Sequence, residues 1–176
     1  MTYRLAPLPA AEAARRRDEL IALCAQAFGG SPWHEPPLGA VRTVDRLLDS
    51  AARRDDFRAV AALDGDDTDG SGGAGDSDGT GAALLGFAAG WTDTALSGDE
   101  PVFELAELVV GPGSQGQGIG RALHDGLLAA GPPGPALLMT LDVPELTDRY
   151  TRWGWTVVDR SRPGKEQRDF VVMRHP

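Results

Sequence analysis

The stretch Leu108–Leu123, "LVVGPGSQGQGIGRAL", leads from an apolar, strand-like run into a helical pattern through glycines at 111, 113, 116, 118 and 120. Glycine costs about 0.5–1 kcal/mol against alanine inside a regular element, so a cluster at this junction needs a physical reason. The usual reason is close approach of backbone to a phosphate. The first turn of a helix carries unpaired N–H groups and the positive end of the helix dipole, and side chains at 116, 118 and 120 would hold the anion away.

Three phosphate-binding patterns compete for these residues. A Walker A loop ends in Gly-Lys-Ser/Thr, whereas this run ends Gly118-Ile119-Gly120-Arg121. A dinucleotide fingerprint fits by letter at Gly111, Gly113 and Gly116, with Asp142 after the next strand, but too little chain follows to build the remaining strand–helix units. The third pattern is Gln115-Gly116-Gln117-Gly118-Ile119-Gly120, preceded by Leu108, Val110 and Pro112. A glycine-rich loop that merely starts a helix accounts for one or two of these glycines, not for their spacing. Together these residues closely resemble the acetyl-CoA segment of the GNAT acetyltransferase superfamily.

The order of elements agrees with that resemblance. A short first strand fits Thr2–Leu8, stopped by Pro7 and Pro9. One amphipathic helix is predicted over Ala10–Phe28, with Leu20, Cys24 and Phe28 every four residues and Gly29-Gly30 at its end. "SPWHEPP" (31–37) holds three prolines and reads as a loop. A second helix follows, with Val41, Val44 and Leu48 on one face. Strands are predicted over Phe57–Leu63, Ala82–Trp91 and Pro101–Val110, then a helix from the glycine turn, a strand "PALLMTLDV", a helix "ELTDRYTRWGW" and two closing strands. The expected architecture is a single α/β domain of the α+β type over residues 1–176. A mixed sheet of about seven strands is flanked by about four helices, in the order β-α-α-β-β-β-α-β-α-β-β. Residues 64–81 are almost entirely Gly, Asp, Ser and Thr, which predicts a disordered hairpin insert, and their aspartates miss calcium-loop spacing.

Composition narrows the function classes. The chain has 176 residues and a net charge of −9, which argues against nucleic acid and anionic membrane as partners. Its one cysteine, Cys24, lies in an apolar stripe and reads as core, so neither a disulfide framework nor a cysteine-based zinc site is expected. No segment reads as a signal peptide or membrane span, and a cytoplasmic location is the default.

The resemblance implies a direct transfer, in which a substrate amine attacks the thioester of acetyl-CoA as co-substrate, with no metal. It implies that the strand before the glycine turn carries a bulge and offers the backbone of Leu108, Val109 and Val110 to the pantetheine arm. An N–H near Val109 would then polarise the thioester carbonyl. It further implies that Gln115, Gly116, Gln117, Gly118, Ile119, Gly120 and Arg121 hold the pyrophosphate. Tyr150, in Tyr-x-x-x-Gly154-Trp155, fits the position of a general acid, although helical periodicity with Leu146 would also place it in the core. Glu104 and Glu107 are candidate bases, expected on opposite faces of a regularly alternating strand; a water chain is the alternative. The loop between the first two helices implies substrate contacts from Trp33, His34 and Glu35, while His124 is expected on a helix exterior. The acceptor would be a primary amine of a small molecule or a peptide, and the protein a monomer or homodimer. A non-catalytic acyl-CoA-binding or interaction module on the same fold is the alternative.

Overall fold

The computed structural model describes residues 2–65, 82–162 and 168–176. Seven strands form one sheet: β1 (Tyr3–Pro7), β2 (Arg58–Asp64), β3 (Leu84–Asp93), β4 (Val102–Val110), β5 (Ala136–Leu141), β6 (Thr156–Ser161) and β7 (Phe170–His175). Their order across the sheet is β1-β2-β3-β4-β5-β7-β6. Only β4 and β5 run parallel, joined by a crossover through α4 (Ile119–Ala130). The remaining helices are α1 (Ala10–Arg15), α2 (Arg17–Phe28), α3 (Pro37–Arg53) and α5 (Pro144–Arg152). Among the described residues five α-helices therefore stand where about four were expected.

The extra helix comes from a break at Arg16, whose backbone lies at φ −90°, ψ 15°. Arg16 ion-pairs with Glu12 and Glu19 at 2.7 and 2.8 Å and reaches the Ala82 carbonyl at 3.1 Å. The last contact crosses to the start of β3, a constraint that local periodicity does not carry. In α3 the buried stripe is Ala40, Val44 and Leu47, one step round from the predicted face, and Pro37 opens the helix instead of ending the loop.

The sheet separates two apolar layers. One packs Leu20, Cys24 and Val44 from α2 and α3 against Phe87, Ala89, Trp91 and Val109. The other packs Ile119, Leu123 and Leu127 of α4 against Val60, Leu85, Ala88 and Leu105, and contains Tyr150 and Trp155. Cys24 is core, as its stripe predicts, and burial pushes its thiol pKa well up, so it stays protonated.

The predicted insert falls mainly on residues 66–81, outside the described residues. Its ends are hairpin ends, since the Asp64 N–H donates to the Ala83 carbonyl at 2.9 Å. Among the described residues no helix is long and apolar enough to cross a membrane.

Candidate active site

The site is built around an irregularity in β4. Gly90 pairs with Leu105 but its neighbour Ala89 pairs with Glu107, so β4 carries one extra residue, a bulge. The bulge corrects the expectation for the two glutamates. Glu104 lies opposite Trp91 and Glu107 opposite Ala89, two residues apart on β3 and on the same face. Both carboxylates are buried, and both line one cavity of 450 Å³.

Beyond the bulge β4 also parts from β5. Their parallel pairing consists of Phe103 with Ala136 and Glu104 with Leu137, and then stops. Backbone groups past this point face an opening in the sheet. The Gly111 N–H donates to Leu85 on β3 at 2.9 Å. Strand alternation therefore turns the Val109 groups to β3 as well, and leaves those of Leu108 and Val110 facing the gap. The backbone N–H groups near Val109 that face this opening are accordingly those of Leu108 and Val110. The Gln115 amide donates to the Val110 carbonyl at 3.1 Å, tying the glycine turn to this open edge.

The turn itself is a short 3-10 segment, Pro112–Ser114, followed by Gly116 at φ +76° and Gly118 at φ +83°. Both lie in the left-handed region, where a side chain is strained. Gly118 is the N-cap of α4, with no side-chain cap and no acidic residue in the first turn, so the leading N–H groups are left for another acceptor. Gly120 is a different case: a Cβ there would meet Val110 and Trp153 at 3.6 and 3.7 Å, ordinary contact. Room alone thus does not require glycine at 120.

A cleft of 410 Å³ opens on this turn, lined by Leu108, Val109, Val110, Gln115, Gly116, Gly118, Gly120 and Arg121. Two predicted cofactor residues do not line it. The Gln117 side chain is exposed and donates to the Gly113 carbonyl at 3.3 Å, while Ile119 is buried and anchors α4 to the core. Arg149, Arg152 and Trp153 also line the cleft, and sequence reasoning missed them. Their signal was present: Arg149 and Arg152 are three apart, flanking Tyr150 in the last turn of α5.

Tyr150 is placed by the way α5 ends. Gly154 sits at φ +95°; its N–H donates to Thr151 and that of Trp155 to Tyr150, both at 3.1 Å. These two bonds are a Schellman cap, and the Tyr150 and Trp155 rings pack at 6.1 Å as the motif's apolar contact. The Tyr-x-x-x-Gly-Trp spacing is thus a helix terminator that also aims the tyrosine. Tyr150 is both buried and part of the lining of each cavity. Burial, opposed by Arg149 and reinforced by Glu107, pushes its hydroxyl up to about 12.

The second cavity is acidic. Glu35, Asp93, Glu104 and Glu107 line it with Trp33, Trp91 and Phe170. Glu107 is paired with Arg46, and Asp93 with Arg54 at 2.6 Å. Glu104 instead accepts the Leu96 N–H at 2.9 Å and has no ion pair among the described residues. Burial is the largest cause holding its carboxyl above the ordinary value. The Leu96 N–H opposes the shift, Asp93 adds to it and Arg54 again opposes it. Burial likewise raises Glu107, but against the Arg46 guanidinium.

Of the predicted acceptor residues, Trp33 lines both cavities, held edge-on against Phe28 at 5.4 Å, and Glu35 lines the second. His34 is exposed and lines neither. Arg168 binds the Trp33 carbonyl at 2.8 Å and lies 3.7 Å from Glu35, fastening this loop to the β7 side of the site. The two cavities meet at Phe28, Trp33, Leu108 and Tyr150.

Residues 34–133 match the Acetyltransferase (GNAT) family, more than half of the chain and the whole of the bulged strand, glycine turn and α4. The chain belongs to the GNAT acetyltransferase family. The GNAT match ends before Tyr150. Solved structures share the fold. PH1933 from Pyrococcus horikoshii OT3 is 19% identical over 99% of this chain and 98% of its own, with a TM-score of 0.67. NAA60 from Arabidopsis thaliana, solved with a bisubstrate analogue, is 16% identical over 99% and 98%, with a TM-score of 0.64. A chain of the NatC complex bound to Gag peptide and CoA is 14% identical over 100% and 99%, with a TM-score of 0.58. No curated protein matches the chain in sequence.

Proposed function

We propose that this GNAT protein transfers the acetyl group of acetyl-CoA to a primary amine of a small molecule or peptide. The observation that carries the proposal is the meeting of two chemically opposite cavities. One is lined by a helix N-terminus and Arg121, Arg149 and Arg152, the other, among the described residues, by four carboxylates against the single cation Arg46, which pairs with Glu107, and they join beside Leu108 and Tyr150. The first suits an anionic phosphate chain and the second a cationic amine.

Acetyl-CoA supplies the acyl group as a thioester. The residues then divide the work. The N–H groups at Gly118–Arg121 and the three arginines bind phosphate, and the Leu108–Val110 edge takes the arm as an added strand. Glu104 removes a proton from the incoming ammonium, because it is raised in pKa and forms no ion pair among the described residues. Glu107, neutralised by Arg46, is assigned to shaping the cavity. The Leu108 N–H stabilises the negative charge that develops on the carbonyl oxygen, a contribution of about 2.7–4 kcal/mol for such a donor elsewhere. As the amine nitrogen bonds to the carbonyl carbon the carbon–sulfur bond breaks, the Tyr150 hydroxyl protonates the leaving thiolate, and the second nitrogen proton passes to the tyrosinate, directly or through water, so that amide and free thiol leave Tyr150 neutral while Glu104 gives its proton to solvent. The fold shared with a chain of the NatC complex, solved with Gag peptide and CoA, supports including peptides among the acceptors.

Incubating the purified protein with acetyl-CoA and a panel of small amines and peptides, while following free thiol, tests the proposal. Amine-dependent thiol release by at least one class is expected. Release that no amine accelerates, with acetyl-CoA nonetheless bound, would contradict transfer.

A further inference from the structure

His124, expected on the outside of α4, is 1% exposed. It sits among Trp153, Trp155 and His175, with ring centroids at 5.0, 5.9 and 6.0 Å. A histidine this deep needs both ring nitrogens satisfied. Its Nε2 accepts the Trp155 indole N–H at 2.8 Å. That fixes the tautomer: the ring proton is on Nδ1, which is 2.7 Å from Asp125 Oδ1 and donates to it. The other carboxylate oxygen, Asp125 Oδ2, accepts from Arg121 Nε at 2.7 Å. Arg121 lines the cleft and lies 5.9 Å from the Trp153 ring centroid.

The chain of contacts therefore runs from the core, through one buried imidazole and one half-exposed carboxylate, to a cationic side chain at the cofactor cleft. An exposed i,i+4 pair such as Arg121–Asp125 contributes little alone, because two mobile side chains must be held in one geometry. Anchoring Asp125 to a buried ring removes much of that entropic cost. With Nε occupied, the guanidinium keeps its two terminal amino groups for the cleft.

We infer that His124 is a positioning residue for the cofactor: held by Trp155 at one ring nitrogen, it orients Asp125 with the other and thereby sets Arg121 in the cleft. The inference rests on the reading of that cleft as the acetyl-CoA site. The neutral ring it requires agrees with burial, which lowers the His124 pKa. Asp125 opposes that shift, and Arg121 and His175 add to it.

The test is calorimetric titration of acetyl-CoA into the full chain and into His124→Leu, His124→Gln, Arg121→Gln and the His124→Leu/Arg121→Gln pair. His124→Leu should weaken binding about five- to tenfold, a usual size for residues in one hydrogen-bonded network. His124→Gln, whose amide offers an acceptor and a donor, should restore most of it. In the Arg121→Gln background the His124→Leu change should cost nothing further. A histidine that only fills the core predicts equal losses in both backgrounds, and that result, or wild-type binding by His124→Leu, overturns the inference. Asp125→Asn gives a second route that leaves the core pair intact: it should weaken binding only while Arg121 is present, and wild-type binding overturns the inference. Undiminished binding by Arg121→Gln overturns the cleft reading itself, and the inference with it.

Discussion

Tyr150 is packed as a core residue and yet lines both cavities. Its ring closes the α5 cap against Trp155 and packs edge-on to Trp153 at 5.6 Å, while burial keeps its hydroxyl protonated. Tyr150→Phe removes a proton donor and almost no volume. Turnover should fall about 10²-fold or more, with acetyl-CoA affinity and melting temperature nearly unchanged. Unchanged turnover with lower stability would mean that the hydroxyl is only structural. Glu104 makes a pH prediction. A carboxyl held above the ordinary range acts as a base only above its raised pKa, so the acid limb of kcat/KM should lie above the usual glutamate value. Glu104→Gln should lose that limb along with most of the rate. For stability the sign is opposite to that of a paired carboxylate. Ionising the buried group opposes folding as pH rises through the raised value, so Glu104→Gln should melt no lower than the parent at neutral pH. At this scale the sequence was readable where a residue sits in a rigid local motif. Tyr150–Trp155 spell a cap in six letters, and Gln115–Gly118 spell the turn that opens α4. It was not readable where burial depends on distant elements. His124 sits beside hydrophilic Asp125 in the chain, and it is enclosed by Trp153, Trp155 and His175 from another part of the fold.

At the scale of elements, the strand–turn–helix around β4 was legible because its signals are local: an apolar run, Gly-Pro-Gly, then apolar residues at helical spacing. The bulge was not. It is a count of β4 residues against β3 residues, visible only once Ala89 and Gly90 are paired with Glu107 and Leu105. A resemblance implied that β4 is bulged, but regular alternation still placed the two glutamates apart. The glycine turn now divides into two kinds of position. Gly118, at φ +83°, cannot take a β-branched residue without strain of at least about 1–2 kcal/mol, which a domain of ordinary stability survives. Gly118→Val should therefore remain folded, melt somewhat lower and lack the rise in melting temperature expected of the parent with acetyl-CoA. Gly120→Ala meets only ordinary contacts, so its apo stability should be unchanged or slightly higher through better helix propensity. Normal acetyl-CoA binding by Gly118→Val would remove the turn from the phosphate site.

At the scale of the whole molecule, charge is distributed against its average. The chain carries −9 overall, yet Arg121, Arg149 and Arg152 gather at one cleft, and the carboxylates gather in the other cavity. Net charge was legible from composition; this separation was not, because it depends on α4 and α5 meeting at the open side of β4. It makes the first cleft an attractive site for an anion on an acidic protein, with an attraction that salt screens. The most direct measurement of the account is calorimetric titration of acetyl-CoA into the intact protein at two salt concentrations. One-to-one binding is expected, with a dissociation constant within about 1 μM–1 mM, as is usual for enzyme substrates, and weaker at higher salt. No binding, or equally tight binding by Gly118→Val, would contradict it.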